Sequence, residues 1–265
     1  VTGLDGTPMS AYDYVKPENL WHLVHFLQSQ QKSEPLPSLR MLQKIISYQT
    51  SKKIGLSPEA PIWKGIKILP VKLRALQSDS GQVSIVDIQS IHNAEQIAFR
   101  LQWKDETPDT ANSVEGFYMD AVALQFSALS KFDSIYYGMG GRKKPVNIWH
   151  WKADSFQKVD GQSLAINNRI AVNPFGEKPV EEMNASGFGT LTVQSQEDQQ
   201  LMGKGVWKNG RWTVVLLRDL RTASPFDVQF GESMNALVAF ALWDGKKKEK
   251  NANKKVSFWQ KIEIP

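Results

Sequence analysis

The residues best suited to chemistry lie in "YYGMGGRKKPVNIWHWKAD" (136–154). Met139 stands between Gly138 and Gly140, with Gly141 next. A core methionine ordinarily sits among apolar neighbours on a helix or strand. Here the flanking backbone carries no side chains, so a large group can approach the thioether closely. The following "VNIWHWKA" reads as a strand whose Trp149 and Trp151 offer aromatic walls to a flat ligand, with His150 between them. The alternative is a glycine turn plugged by a methionine. A second place is "ALVAFALWDGKKKEKNANKKVSFWQKI" (236–262), where a buried strand gives way to a lysine-rich loop before the chain re-enters as "VSFW". Lys254 and Lys255 stand just before that re-entry, where a loop lysine can turn inward; the usual fate of such a lysine is solvation.

Other candidates carry less. His22 and His25 share one side of a helix without a third ligand, and His92 precedes a turn. Met41, Met119, Met183, Met202 and Met234 are expected to pack in the core or lie in loops. With no cysteine and four scattered histidines, no nucleophile–base pair is visible, so the chain is not expected to be an enzyme by itself.

The elements that must hold these residues are mostly strands. Residues 83–91 and 96–103 alternate, the second placing Ile97, Phe99, Leu101 and Trp103 on one face. Residues 211–220 and 236–243 are apolar on both faces, as buried strands are, and 256–264 alternates again. "WKNGRW" (207–212) predicts a two-residue hairpin turn, because Asn-Gly tolerates positive φ. Helices are expected at 17–30 and 38–49, the latter with Leu39, Leu42, Ile45 and Ile46 on one side. The whole predicts a mainly antiparallel β-sandwich with short helices, preceded by a small helical segment. The expected organisation is 1–31, a linker with a short helix over 32–61, and the sandwich over 62–265.

Composition sets limits. The 265 residues are 41% hydrophobic and 22% charged, with no apolar run near the ~18–20 residues that cross a bilayer. The absence of cysteine excludes disulfides, thiolate zinc sites, Cys-ligated iron–sulfur clusters and thioether-linked haem within these residues. The net charge of +5 is uneven, six lysines falling within 246–255. No aromatic residues interleave them as a stacking platform would require, so a solvated loop is expected there and no nucleic-acid partner.

Residues 62–265 resemble the haem-b-binding γ subunit family of the ethylbenzene dehydrogenase, dimethyl sulfide dehydrogenase, selenate and chlorate reductase type. The motifs are "FYMDAVALQFS", "GMGGRKKPVNIWHWKAD", "RWTVVLLRDL" and "VAFALWDG" followed by a basic loop and "KKVSFW". The resemblance implies a β-sandwich holding one non-covalent haem b at an edge, with a methionine and a lysine as axial ligands. It assigns the methionine to Met139 and the lysine to Lys254, with Lys255 as the alternative and His150 as the runner-up ligand. Arg142, Lys143 and Lys144 could meet the propionates or be solvated. A thioether favours ferrous iron and raises the reduction potential. A lysine binds only as the neutral amine, which at pH 7 costs roughly 4–5 kcal/mol for a free side chain. Two protein ligands leave iron no open position, so the implied work is electron transfer, not catalysis. The implied partners are a molybdenum-cofactor catalytic subunit and an iron–sulfur subunit, with a cytochrome at the other end. The implied location is periplasmic or otherwise extracytoplasmic.

The opening "GLDGTPMSAY…PENLWHLVHFL" resembles the C-terminal end of a class I c-type cytochrome domain, in which Met9 matches the distal ligand of haem c. The chain is therefore expected to begin downstream of a Cys-x-x-Cys-His attachment motif, and haem c to be present only with that upstream region. Such a pairing of haems resembles the γ subunit associated with some nitrite oxidoreductases. The alternative from another class is a carbohydrate-binding β-sandwich, its sugars stacked on some of the nine tryptophans.

Overall fold

The computed structural model describes residues 43–76, 83–110, 118–127, 139–141, 144–153, 158–159, 162–163, 179–187, 189–231 and 235–265. The chain divides into two units, 1–41 and 42–265, and every described residue belongs to the second. The cytochrome-like segment with Met9, the helix expected at 17–30, and Gly138, Arg142 and Lys143 lie outside the described residues.

Fifteen strands form in chain order: β1 (Lys44–Gln49), β2 (Leu69–Ala75), β3 (Val83–His92), β4 (Gln96–Lys104), β5 (Ala121–Ser127), β6 (Val146–Lys152), β7 (Lys158–Val159), β8 (Gln162–Ser163), β9 (Val180–Ala185), β10 (Thr192–Val193), β11 (Met202–Trp207), β12 (Arg211–Asp219), β13 (Asn235–Trp243), β14 (Lys255–Val256) and β15 (Gln260–Glu263). Among the described residues the only helical pieces are single 3-10 turns at Pro61–Trp63 and Gln196–Asp198. One run of neighbours is β2-β3-β4-β12-β11 and another is β10-β9-β6-β5-β13; β14 links them by pairing with both β2 and β13. The pairing is antiparallel except where β1 joins β15 and β3 and where β7 joins β11.

Alternation dictates which residues meet between the layers. Ile97, Phe99, Leu101 and Trp103 of β4 are all buried, facing Val122, Leu124 and Phe126 of β5 within one apolar cluster. Trp149 and Trp151 belong to the same cluster. Trp149 packs edge-on against Phe126 at 4.8 Å, and Trp151 against Trp212 at 5.0 Å. Such pairs add about 0.5–1.5 kcal/mol beyond area burial.

A polar knot crosses this core. Arg218, with no exposure, ion-pairs Glu182 at 2.9 Å and Asp227 at 3.5 Å, and donates to the carbonyl of Val228 and to Asn147 Oδ1. Its guanidinium lies 4.8 Å from the Trp149 ring.

The hairpin expected at 207–212 forms as read. Asn209 and Gly210 take φ of 52° and 70°, and Trp207 pairs with Trp212. Two expectations fail. The helix over 38–49 is, in its described part, strand β1, which also falls inside the expected linker. Local spacing suited a helix there, but the backbone is claimed by β15 on one side and β3 on the other. The single strand expected over 256–264 is broken into β14 and β15, with irregular backbone between them.

Candidate cofactor site

A cavity of about 720 Å³ opens on the outward face of the β10-β9-β6-β5-β13 layer. Strand register builds its floor in three cross-strand rows. Trp243, Ala121 and Lys152 form one row. Ala241, Ala123, His150 and Glu181 form the next. Ala239, Gln125, Ile148, Met183 and Val193 form the third. All twelve line the cavity. The four alanines remove side-chain bulk from the middle of the sheet and leave a broad, shallow bed. The volume falls in the usual range for small-molecule and cofactor sites, roughly 300–1,000 Å³.

Alternation along β6 corrects one expectation. Ile148, His150 and Lys152 face the cavity, while Trp149 and Trp151 are wholly buried on the opposite face. Strand side chains alternate, so the residues flanking His150 must point away from it. The aromatic walls come instead from Trp243 and Trp259.

Met139 lines the cavity from a turn fastened to the end of β9. Its carbonyl accepts from the Gly187 N–H at 2.8 Å, and Gly141 and Lys144 exchange backbone hydrogen bonds at 3.0 and 2.7 Å. Gly140, at φ +72°, has no room for a side chain: a Cβ would lie 2.7 Å from the carbonyl oxygens of Ala185 and Lys144. Met119 and Met183, read as core or loop residues, also line the cavity, so three thioethers surround it.

Lys254 borders the cavity from the lysine-rich loop. Its backbone is pinned by the Leu76 N–H at 2.9 Å, and its Nζ lies 5.0 Å from the centre of the Trp243 ring. Among the described residues no carboxylate pairs with it, and burial lowers its pKa. Lys255 does not line the cavity; it is ion-paired with Glu249. The loop expected to be merely solvated is thus exposed on one side, while Glu249, Lys250, Asn251 and Ala252 wall the cavity on the other.

His150 tilts against Trp243 at 5.2 Å, and neither ring nitrogen has a hydrogen-bond partner. The strand histidine expected to be hydrogen-bonded therefore is not. Glu181 Oε2 is 3.7 Å from its Nδ1, and that carboxylate is held by Lys152 at 3.1 Å. Burial depresses the His150 pKa, outweighing Glu181, and the imidazole is neutral at pH 7. Burial pushes Glu181 up, but His150 and Lys152 together hold it below the ordinary carboxylate range.

The loop has its own anchor. Asp120, just before β5, accepts from the N–H groups of Asp109 and Gly245 at 2.7 and 2.9 Å and from the Trp212 indole at 2.9 Å. Oxygens of Asp105, Asp109 and Asp120 lie within 4.8 Å of one another. Burial first, then neighbouring carboxylates, push Asp105 up to about 6 and Asp120 up to about 7. A carboxyl whose folded pKa is raised binds protons better folded than unfolded, so its contribution to stability falls as pH rises from about 4 through the folded value. Asp105→Asn removes that charge. Allowing for solvent screening, the variant is expected to be more stable than the native protein by about 1–2 kcal/mol near pH 7.5. The gap should shrink toward zero near pH 4, as followed by thermal melts across pH.

Comparison with known proteins places this arrangement. The ethylbenzene dehydrogenase family model matches residues 60–185 and 154–255. The chain belongs to that family. A protein of Haloferax mediterranei, named as a haem subunit of a respiratory nitrate reductase, is 28% identical over 207 residues, 76% of this chain and 66% of that protein. The chlorate reductase γ subunit of Ideonella dechloratans is 28% identical over 77% of this chain and 78% of its own length. The dimethylsulfide dehydrogenase γ subunit of Rhodovulum sulfidophilum is 30% identical over 64% and 56%. The chain thus spans just under two thirds of the first of these relatives and little over half of the last. Among solved structures, a family 9 carbohydrate-binding module from Caldicellulosiruptor kristjanssonii in complex with glucose aligns at TM-score 0.45 and 11% identity, covering 84% of this chain and 96% of the module. A likeness that distant says nothing about the ligand. No helix among the described residues is long and apolar enough to cross a membrane.

Proposed function

We propose that the chain is the electron-transfer subunit of a multi-subunit oxidoreductase, and that its cavity holds one haem b with Met139 and Lys254 as axial ligands. One observation carries the reading. The thioether and the amine singled out in the sequence, 115 positions apart, border the same cavity, and the amine is buried there without an anionic partner among the described residues. The residues fit a large, flat, mostly apolar group. The alanine rows clear its bed, Trp243 and Trp259 flank it, and the three thioethers are soft contacts.

A bound haem supplies a one-electron couple. Met139 offers a soft sulfur that favours the reduced metal. Lys254 must act as the free amine; its burial meets part of the cost of losing the proton before any bond to iron forms. Met139 and Lys254 together would fill both axial positions, leaving none for a substrate. His150 faces the same cavity as the reserve nitrogen ligand. The relatives named as subunits of nitrate and chlorate reductases and of dimethylsulfide dehydrogenase support a role inside such a complex. The partners in this reading are a molybdenum-cofactor subunit and an iron–sulfur subunit, with a cytochrome beyond. If the longer protein carries a c-haem domain, Met9 is its sulfur ligand. An extracytoplasmic location goes with the reading.

The test is optical. The purified protein should show a Soret band and sharp α and β bands on reduction, and carbon monoxide should not perturb them. A colourless protein retained on a glycan column would favour the carbohydrate-binding alternative. Gly140→Ala checks the Met139 turn. Forcing a side chain against two carbonyls at positive φ should cost about 1–3 kcal/mol locally. The expected outcome is a lower haem-to-protein ratio with an unchanged far-ultraviolet spectrum.

A further inference from the structure

Two lysines stand side by side at the cavity, and the sequence gives no reason for iron to take one over the other. The structure assigns the choice to Glu249: we propose that it is a positioning residue, whose carboxylate sequesters Lys255 and so leaves Lys254 as the amine that faces the cavity. This rests on the haem reading above.

Glu249 sits at the end of the turn that follows β13, and each of its polar groups is engaged. One carboxylate oxygen takes the Lys255 ammonium. The other accepts from the Asp244 N–H at 2.9 Å, and its own N–H donates to the Asp244 carbonyl at 3.1 Å. Asp244 in turn is followed by Gly245, whose N–H is fixed on Asp120. The pair is buried, Lys255 being 2% exposed and Glu249 8%. Lys255 also lies in β14, hydrogen-bonded between Ala75 of β2 and Leu242 of β13.

Strand alternation does the rest. Lys254 and Val256 line the cavity and Lys255 does not. A slip of one residue would exchange the two lysines, because the side-chain period of a strand is two. β14 spans only two residues, so its own ladder resists a slip weakly. The slip would strand the Glu249 carboxylate and the Lys254 ammonium in the wrong places, with a charge buried and unmatched. The ion pair is therefore the device that fixes register at the point where one residue of error changes the ligand.

The test compares haem-loaded native protein with Glu249→Gln and Glu249→Gln/Lys255→Met by electron paramagnetic resonance of the oxidised forms. The native protein should give one low-spin species. Glu249→Gln should give two, as Lys254 and Lys255 compete, and the double variant should return to the single native species. A single native signal in Glu249→Gln overturns the inference. A second pair of variants covers the case in which Glu249→Gln fails to fold. Lys255→Arg keeps the positive charge for Glu249 but cannot bind iron. Lys254→Ala and Lys254→Ala/Lys255→Arg should therefore give identical spectra; a difference means that Lys255 replaces Lys254 while Glu249 is intact, and the inference falls. Native protein that takes up no haem sinks the haem reading itself, whereas any of the other adverse results leaves that reading standing.

Discussion

Lys254→Ala should abolish the low-spin signature of the reduced and oxidised protein and replace it with that of five-coordinate or water-ligated haem. Lys254 is the one amine bordering the cavity that is both buried and, among the described residues, unpaired with a carboxylate; Lys152 is held by Glu181. Removing a direct ligand should lower haem affinity by on the order of 10–100-fold or more, since even loss of an outer-shell partner costs that much at metal sites. The sandwich should stay folded, because Lys254 contributes only its backbone to the sheet contacts, through Leu76. Absorption spectra and haem titration of the apoprotein read both effects. A six-coordinate spectrum that persists would transfer the role to His150, whose ring nitrogens are unpartnered at the same cavity.

The largest effect on stability is expected from Arg218→Ala. The guanidinium answers two buried carboxylates, Glu182 and Asp227, and a carbonyl, while stacking on Trp149. Truncating one partner of a buried ion pair leaves charge unmatched, at about 3–5 kcal/mol. For a domain of this size that corresponds to a fall in melting temperature of about 10 °C. Glu182 lies on β9 beside the cavity residues Glu181 and Met183, so haem retention should fall with stability. Arg218→Met/Glu182→Gln/Asp227→Asn, which removes the charges together, should recover much of the loss. Equal destabilisation in both variants would show that packing of the guanidinium, not charge balance, holds the knot.

Much of this fold was legible because burial writes a period-two pattern. Ile97, Phe99, Leu101 and Trp103 announced both the strand and its core face, and Asn209-Gly210 announced the hairpin. Residues 43–49 misled because Ile45 and Ile46 fit a helix locally, while the partners that make them a strand lie some 45 and 215 residues away. Met139 stood out by its bare glycine flanks. Trp149 and Trp151 were misplaced because "WHW" shows that two faces exist without showing which is the cavity face. The better signal was quieter. Ala121 and Ala123, and Ala239 and Ala241, recur at every second position of strands that are otherwise heavy, and a face of small residues marks a bed for something large. Glu249 was hidden in a run of lysines; only the fold shows that its carboxylate is spent on Lys255.

Titration of the apoprotein with haem b tests the central claim most directly, with spectra recorded oxidised, reduced, and reduced under carbon monoxide. One haem per chain, low-spin in both oxidation states and indifferent to carbon monoxide, is the predicted result. Failure to take up haem, or a reduced form that binds carbon monoxide at once, would contradict it.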